Sequence, residues 1–201
     1  MQPLCPFVVI NIELEPVLKS KEFIIHKDLI EKSKQGDTGS QYKLYGLYSK
    51  AMYNLSFRMM NSVVEAEDVL QEAFTEAFLK LKTYKYEASF GAWLKRIVIN
   101  RCLNKLKKRN IQLVLVDNNE IPDNYDEDIK DNTEFEVGKI ITAVQRLADG
   151  YRVILELYLF EGYDHVEISQ ILNISVSTSK SQYSRAKMRL KSILRNEKAI
   201  R

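Results

Sequence analysis

Residues 62–82 read SVVEAEDVLQEAFTEAFLKLK, and the spacing of these side chains decides how the rest of the chain is read. At 3.6 residues per turn, Ala66, Leu70, Ala73, Phe74, Ala77, Phe78 and Leu81 fall on one face. Glu65, Asp68, Glu72 and Glu76 follow at steps of three and four and make a second stripe. A helix with one apolar and one acidic face docks on a core and turns its charge outward. Acidic stripes are commonly plain solvated surface. The adjoining segment argues for more, because from Lys80 to Arg109 ten cationic side chains face a single acid, Glu87.

Working outward, the chain has 201 residues, enough for one large domain or two small ones, and 45% hydrophobic content, enough for a core. Seven glycines and four prolines disfavour a turn-rich β fold. The formal charge of +3 is the sum of unlike blocks. After the basic block comes an acidic one, with Asp117, Glu120, Asp123, Asp126, Glu127, Asp128, Asp131, Glu134 and Glu136 against Lys130. Then Lys180, Arg185, Lys187, Arg189, Lys191 and Arg195 add positives with no acid between them. Two basic blocks separated by an acidic one suggest two polyanion-binding modules on a tether. Cys5 and Cys102 match no metal or redox spacing, and Cys102 reads as a buried thiol. The apolar run near the start lacks the flanks of a signal peptide and is too short to span a bilayer. The expected localisation is cytoplasmic, without membrane insertion.

The expected fold is all-α, two small helical domains joined by a flexible acidic linker. Residues 1–22, with Pro3, Pro6 and Pro16, form an unassigned tail. Residues 23–110 form the first domain. It opens with a short helix stopped near Gly36, the break reinforced by Gly39. A helix follows with Leu44, Leu47, Tyr48, Ala51, Met52, Leu55, Phe57 and Met59 inward. The acidic helix comes next, then a helix keeping Trp93, Leu94, Ile97, Val98, Leu103 and Leu106 in period, with Lys95, Arg96, Arg101, Lys105, Lys108 and Arg109 opposite. Tyr84, Tyr86, Phe90 and Trp93 lead into it, and aromatics beside cations suit unstacked bases, although Trp93 itself reads as core. Residues 111–135 lose the helical period around Pro122 and read as the linker.

Residues 136–196 form the second domain. Its first helices carry Val137, Ile140, Ile141, Val144 and Leu147, then Tyr151, Val153, Ile154, Leu157, Tyr158 and Phe160, ending at Gly162. Asp164 with Glu167 is a capping-box start, Asn173 a turn residue tolerant of left-handed backbone, and Ser175 a second cap. Helix, short turn and basic helix make a helix-turn-helix. Ser177, Thr178, Lys180, Ser181, Gln182 and Arg185 are expected to point away from Val176, Tyr183 and Met188. Hydroxyls at the helix start suit phosphates, while Lys180, Gln182 and Arg185 suit base edges.

EDVLQEAFTEAF with SFGAWLKRIVINRCLNKLKK, and later EGYDHVEISQILNISVSTSKSQYSRAK, resemble the second and fourth conserved regions of bacterial sigma-70-type factors, in their extracytoplasmic-function (ECF) variant. The resemblance spans roughly residues 23 to 109 and 136 to 195. It implies that Asp68, Gln71 and Glu72, with Glu65 and Glu76, dock on the β′ clamp helices of core RNA polymerase, and that the β flap is a second contact. It implies that Tyr84, Tyr86, Phe90, Lys95, Arg96, Asn100, Arg101, Asn104 and Lys108 hold the melted −10 promoter strand. The last helix would read the double-stranded −35 element, and the linker would thread the polymerase channel. An anti-sigma factor is a further partner the resemblance allows. Two departures stand out. The paired tryptophans of housekeeping factors are absent, with Arg96 and Ile97 near their place, and Asn104 stands where the family commonly has Asp.

No Ser-His-Asp, Cys-His, phosphate-loop, metal or paired-carboxylate constellation emerges, so no enzyme or cofactor is expected; His26 and His165 are isolated. A stand-alone helix-turn-helix regulator is the alternative, but it would need a sensor domain where this chain has an acidic helix followed by a basic aromatic one. A purely structural helical adaptor leaves the DNA-compatible side chains of both basic blocks without a purpose.

Overall fold

The computed structural model describes residues 25–109 and 137–199. The expectations for the tail and the linker lie outside these residues. Among the described residues every regular element is helical, and the helices make two domains.

Helix α1 (Lys27–Lys34) ends at Gly36, whose φ of 92° is the left-handed conformation glycine adopts without strain. Gly39 does not extend the break. The Asp37 carboxylate accepts the Ser40 amide at 2.8 Å, capping α2 (Thr38–Met60) with Gly39 already in its first turn. Leu44, Met52, Leu55 and Met59 of α2 are buried as the period requires, but Leu47 and Ala51 face solvent. Asn61 closes α2 in the left-handed region, and the Ser62 hydroxyl caps α3 (Val63–Lys80). Ala66, Leu70, Ala73, Phe74 and Ala77 are buried as the period requires, and Val69 joins them. Leu81 is buried in the short 3-10 turn that follows.

Ser89 caps α4 (Phe90–Lys108) at the Ala92 amide, 3.2 Å away. Gly91 belongs there because a Cβ would stand 3.1 Å from a Tyr48 ring carbon of α2. Leu94, Val98, Ile99, Cys102, Leu103 and Leu106 line the inner face of α4. Truncating a side chain such as Leu94 to Ala costs about 2–5 kcal/mol in a close-packed core of this kind. Burial pushes the Cys102 thiol up to about 12, an inert core sulfur rather than a nucleophile.

The second domain runs through α5 (Val137–Gln145), α6 (Asp149–Leu155) and a π-helical turn, Glu156–Phe160, to Gly162 at φ 74°. Asp164 and Glu167 complete the capping box on α7 (His165–Leu172). Asn173 turns the chain at φ 56°, and the Ser175 hydroxyl accepts the Thr178 amide at 3.0 Å at the head of α8 (Val176–Ala199). His165 is no lone surface side chain. Its ring stacks on Tyr158 at 4.7 Å, meets Tyr183 at 5.6 Å, and holds the Ser179 hydroxyl at 2.9 Å through Nδ1, pinning α7 to α8. Burial, with Lys180 nearby, lowers its pKa below the ordinary imidazole value.

The two domains share one apolar cluster, running from Met52, Leu55 and Met59 to Tyr151, Ile154 and Leu157. Helix α6 lies against α2.

Candidate polymerase and nucleic-acid interfaces

Helices α3 and α4 lie antiparallel, with their charged stripes facing. Glu65 pairs with Arg109, Asp68 with Lys105 at 2.9 Å, and Glu72 and Glu76 with Arg101 at 3.4 and 2.5 Å. This ladder splits the acidic stripe. Glu65 and Glu76 are turned toward α4, and Glu76 also takes Lys80 at 2.6 Å; its two cations hold its carboxyl below the ordinary range against its burial. Asp68, Gln71 and Glu72 face solvent, joined by Val64, Glu67, Thr75 and Leu79, the last 79% exposed. A row of acids and amides flanked by bare Val64 and Leu79 is what a protein docking face needs: apolar area for affinity, charge for orientation. Val64 and Leu79 were not singled out in the sequence, where they read as interruptions of the polar stripe.

The residues assigned to the melted strand do not form one exposed row. Tyr84 and Phe90 are 4% and 3% exposed, packed with Trp93 and Tyr48, so both rings face protein and not solvent. Tyr86 is half-buried at φ 62°; its hydroxyl donates to Glu31 at 2.5 Å and its ring carries the Lys34 ammonium 4.5 Å from its centre. Lys34 also donates to the Tyr84 carbonyl at 3.2 Å, so α1 straps down the loop that enters α4. Arg96, Asn100, Asn104 and Lys108 are exposed. Arg101 is held in the ladder, and Lys95 reaches the other domain, meeting Glu161 at 2.7 Å. A shallow polar pocket collects Asn100, Arg101, Leu103, Asn104 and Lys107 with Ile171 of α7.

On α8 the structure corrects the phase. Ser179, Gln182, Ala186 and Leu194 face inward, with Gln182 only 3% exposed, so Gln182 is a packing residue in the structure and not a surface reader. Val176, Tyr183 and Met188 are only partly covered. The outer face carries Ser177, Lys180, Ser181, Ser184 and Lys187, with Thr178 and Arg185 half-buried at its margins. Ser184 and Lys187 were missed, though they continue Lys180 at steps of four and three. The signal failed because the inward face is marked by Ser179 and Gln182, polar residues that periodicity sends outward.

No helix among the described residues is long and apolar enough to cross a membrane. The Sigma-70 region 2 family pattern matches residues 44–111, and the Sigma-70, region 4 pattern matches residues 138–190. The chain is 29% identical over 181 residues to the ECF RNA polymerase sigma factor SigW of Bacillus subtilis, covering 85% of this chain and 97% of that one. It is 28% identical to the RNA polymerase sigma-H factor of Pseudomonas aeruginosa, covering 80% and 89%. In fold it is similar to the sigma factor RpoE bound to the anti-sigma factor NepR from Bartonella quintana, with a TM-score of 0.53, 21% identity and coverage of 77% and 96%. CnrH in complex with the cytosolic domain of CnrY gives 0.51, 19%, and coverage of 84% and 96%. With both conserved regions present in order, the chain belongs to the sigma-70 family of RNA polymerase sigma factors, and within it to the extracytoplasmic-function (ECF) type.

Proposed function

We propose that the chain is the promoter-specificity subunit of bacterial RNA polymerase. It binds core enzyme through α3, holds the melted −10 element on α4 and its entering loop, and reads the −35 element with α8. The observation that carries this is the α3–α4 hairpin, acidic outside and basic beside it, followed on the same chain by a capped helix-turn-helix. Asp68, Gln71 and Glu72, with Val64 and Leu79, dock on the β′ clamp helices, and the second domain meets the β flap. Arg96, Asn100, Asn104 and Lys108 face the single strand. Lys180 and Arg185 reach base edges, with Ser177, Thr178, Ser181 and the α8 amides on phosphates. The working boundaries are 23–110 for the first domain, 111–135 for the linker and 136–196 for the second.

The protein works in the cytoplasm, where its polymerase is, and adds recognition rather than catalysis of its own. The sigma factor solved with the anti-sigma factor NepR supports an anti-sigma partner for this chain as well. A stand-alone regulator would have no use for a docking helix, and nothing favours it. The test is transcription in vitro by core polymerase, with and without the purified chain, over a promoter library. Selected promoters with common −10 and −35 sequences are the expected outcome; chain-independent transcription throughout would sink the assignment.

A further inference from the structure

The two helices of the helix-turn-helix meet through polar and aromatic groups as well as aliphatic ones. His165 opens α7 and sets its Nδ1 2.9 Å from the hydroxyl of Ser179, in the first turn of α8. Ser179 is 0% exposed, so its hydroxyl has no water to turn to. The His165 ring stacks on Tyr158 of the π-helical turn at 4.7 Å and meets Tyr183 of α8 edge-on at 5.6 Å, and the two phenol rings lie 4.3 Å apart. One imidazole therefore joins three elements, and it holds α8 at two points on one face, Ser179 and Tyr183, four residues apart. Two fixed points on one face stop a helix from rolling about its axis. Roll decides what the exposed Lys180, Ser184 and Lys187 can reach. On a helix of ~6 Å radius a roll of ~20° moves a side-chain tip by ~2 Å, well beyond the ~0.5 Å spread of hydrogen-bond distances.

We propose that His165 is the positioning residue of the reading helix: by holding Ser179 and Tyr183 from the α7 side, it fixes the rotation of α8 and with it which side chains reach the duplex. The reading role of α8 rests on the function proposed above; the tie between His165 and α8 does not. A tie made through a ring nitrogen depends on protons. The neutral imidazole has one donor and one acceptor, whereas the protonated ring has two donors and no acceptor. The charged ring would also stand near Lys180 of α8, with Asp164 the acid on its own side and the phenols of Tyr158 and Tyr183 on the others. Lys187 adds a further cation over the Tyr183 ring, 4.9 Å from its centre. Burial and Lys180 favour the neutral ring, and Asp164 opposes them. As pH falls, the unfolded chain takes the proton before the folded one, so the tie weakens below the ordinary value of 6.5. Bare electrostatics has the opposite sign, since one more positive charge on a basic helix strengthens its hold on phosphates.

The test uses the full chain with core polymerase and two promoters that differ only in the −35 element, one selected from the library and one with that element scrambled. The ratio of the two transcripts in one reaction cancels any effect of pH on the polymerase itself. From about pH 7.5 to about pH 5.5 the parent ratio should fall about tenfold, the discrimination of roughly one base contact. His165→Gln, which keeps a hydrogen-bonding group but cannot titrate, should give a flat profile. Ser179→Ala removes the held hydroxyl, changes no charge and suits a helix, so it should lower the ratio about tenfold at neutral pH; it carries the test if loss of the ring unfolds His165→Gln. A parent ratio that stays level or rises on acidification, a His165→Gln profile that follows the parent's, or a Ser179→Ala chain with the parent ratio overturns the proposal. A second measurement needs neither polymerase nor DNA. His26→Asn, at a left-handed position that asparagine tolerates, leaves His165 as the sole histidine. NMR then follows its titration together with the amide of Leu194, which is buried and lies ~22 Å along α8 from Ser179. That amide should titrate with the ring; one that holds still while the ring gains its proton overturns the positioning. A chain that passes this measurement but directs no transcription refutes the function and leaves the positioning standing.

Discussion

Replacing Glu156 with Gln isolates the one carboxyl among the described residues that burial pushes toward its protonated form. Glu156 is 0% exposed, and burial pushes its carboxyl from 4.5 up to about 7. Arg58 opposes the rise and Glu161 adds to it. Arg58 and Glu161 face it, Lys95 pairs with Glu161 behind them, and the Cys102 thiol, neutral in this range, lies on its α4 side. The sign follows from proton counts. Between pH 4.5 and 7 the unfolded chain releases this proton while the folded chain keeps it, so stability falls as pH rises through that window and levels off above it. A carboxyl moved from 4.5 to about 7 corresponds to about 3 kcal/mol, at ~1.4 kcal/mol per pH unit. His165, with its pKa lowered, has the opposite slope near its ordinary value of 6.5, so the useful quantity is the difference between the two chains, in which it cancels. Glu31, Asp37 and Glu76, all held low by hydrogen bonds, lose their contribution only as pH falls below their ordinary values. Urea unfolding followed by circular dichroism, repeated from about pH 5 to 8, reads the effect. Relative to the parent chain, Glu156→Gln should gain about 3 kcal/mol over that range. Parallel pH profiles would mean that Glu156 is ionised throughout, with Arg58 outweighing burial.

Asp68→Ala with Glu72→Ala should weaken binding to core polymerase about tenfold while leaving helicity unchanged, since alanine is the best helix former; equal affinity by pull-down titration would return this face to bare solvation. Lys180→Ala and Arg185→Ala should change preference at a single −35 base pair each, a cost of about 1–3 kcal/mol in vitro. Gln182→Ala should instead lower the melting temperature and reduce transcription equally across a −35 library, because its side chain is buried. A protease site inserted between Asn118 and Asn119 and then cut should leave two halves that co-elute in size-exclusion chromatography at low salt and separate once Arg58→Glu is introduced; halves that separate without the substitution would contradict the shared core.

The parts of this fold legible in the sequence are those fixed by neighbours. Asp164 with Glu167, Asn173 and Ser175 announce their helix boundaries because a cap or a left-handed turn is decided within four residues. The apolar periods of α3 and α4 were equally plain. Illegible were the choices made across the chain. Nothing local says that Arg101 should turn to Glu72 and Glu76, or that Tyr84 and Phe90 should fill a core with Tyr48 rather than wait for a base. The α8 phase failed because Ser179 and Gln182 are buried, and their burial depends on α7 and His165. A usable signal did exist for the interface. Arg152 and Glu156 are lone charges four residues apart inside the apolar run YRVILELYLF, and charges so placed are buried only with partners.

The contact between the two domains is part apolar and part ionic. The apolar part of the joint between α2 and α6 gains about 25 cal/mol per Å² of apolar surface buried. Burying Glu156 and Glu161 against the half-buried Arg58 costs desolvation that their mutual attraction about offsets, so such groups fix orientation more than they add stability. Intramolecular closure needs little net affinity. Tethered domains meet at effective concentrations on the order of millimolar, so an interface worth about 4 kcal/mol, a millimolar dissociation constant, is already half closed. The second domain leaves the outer face of α3, the face proposed above for core polymerase, bare.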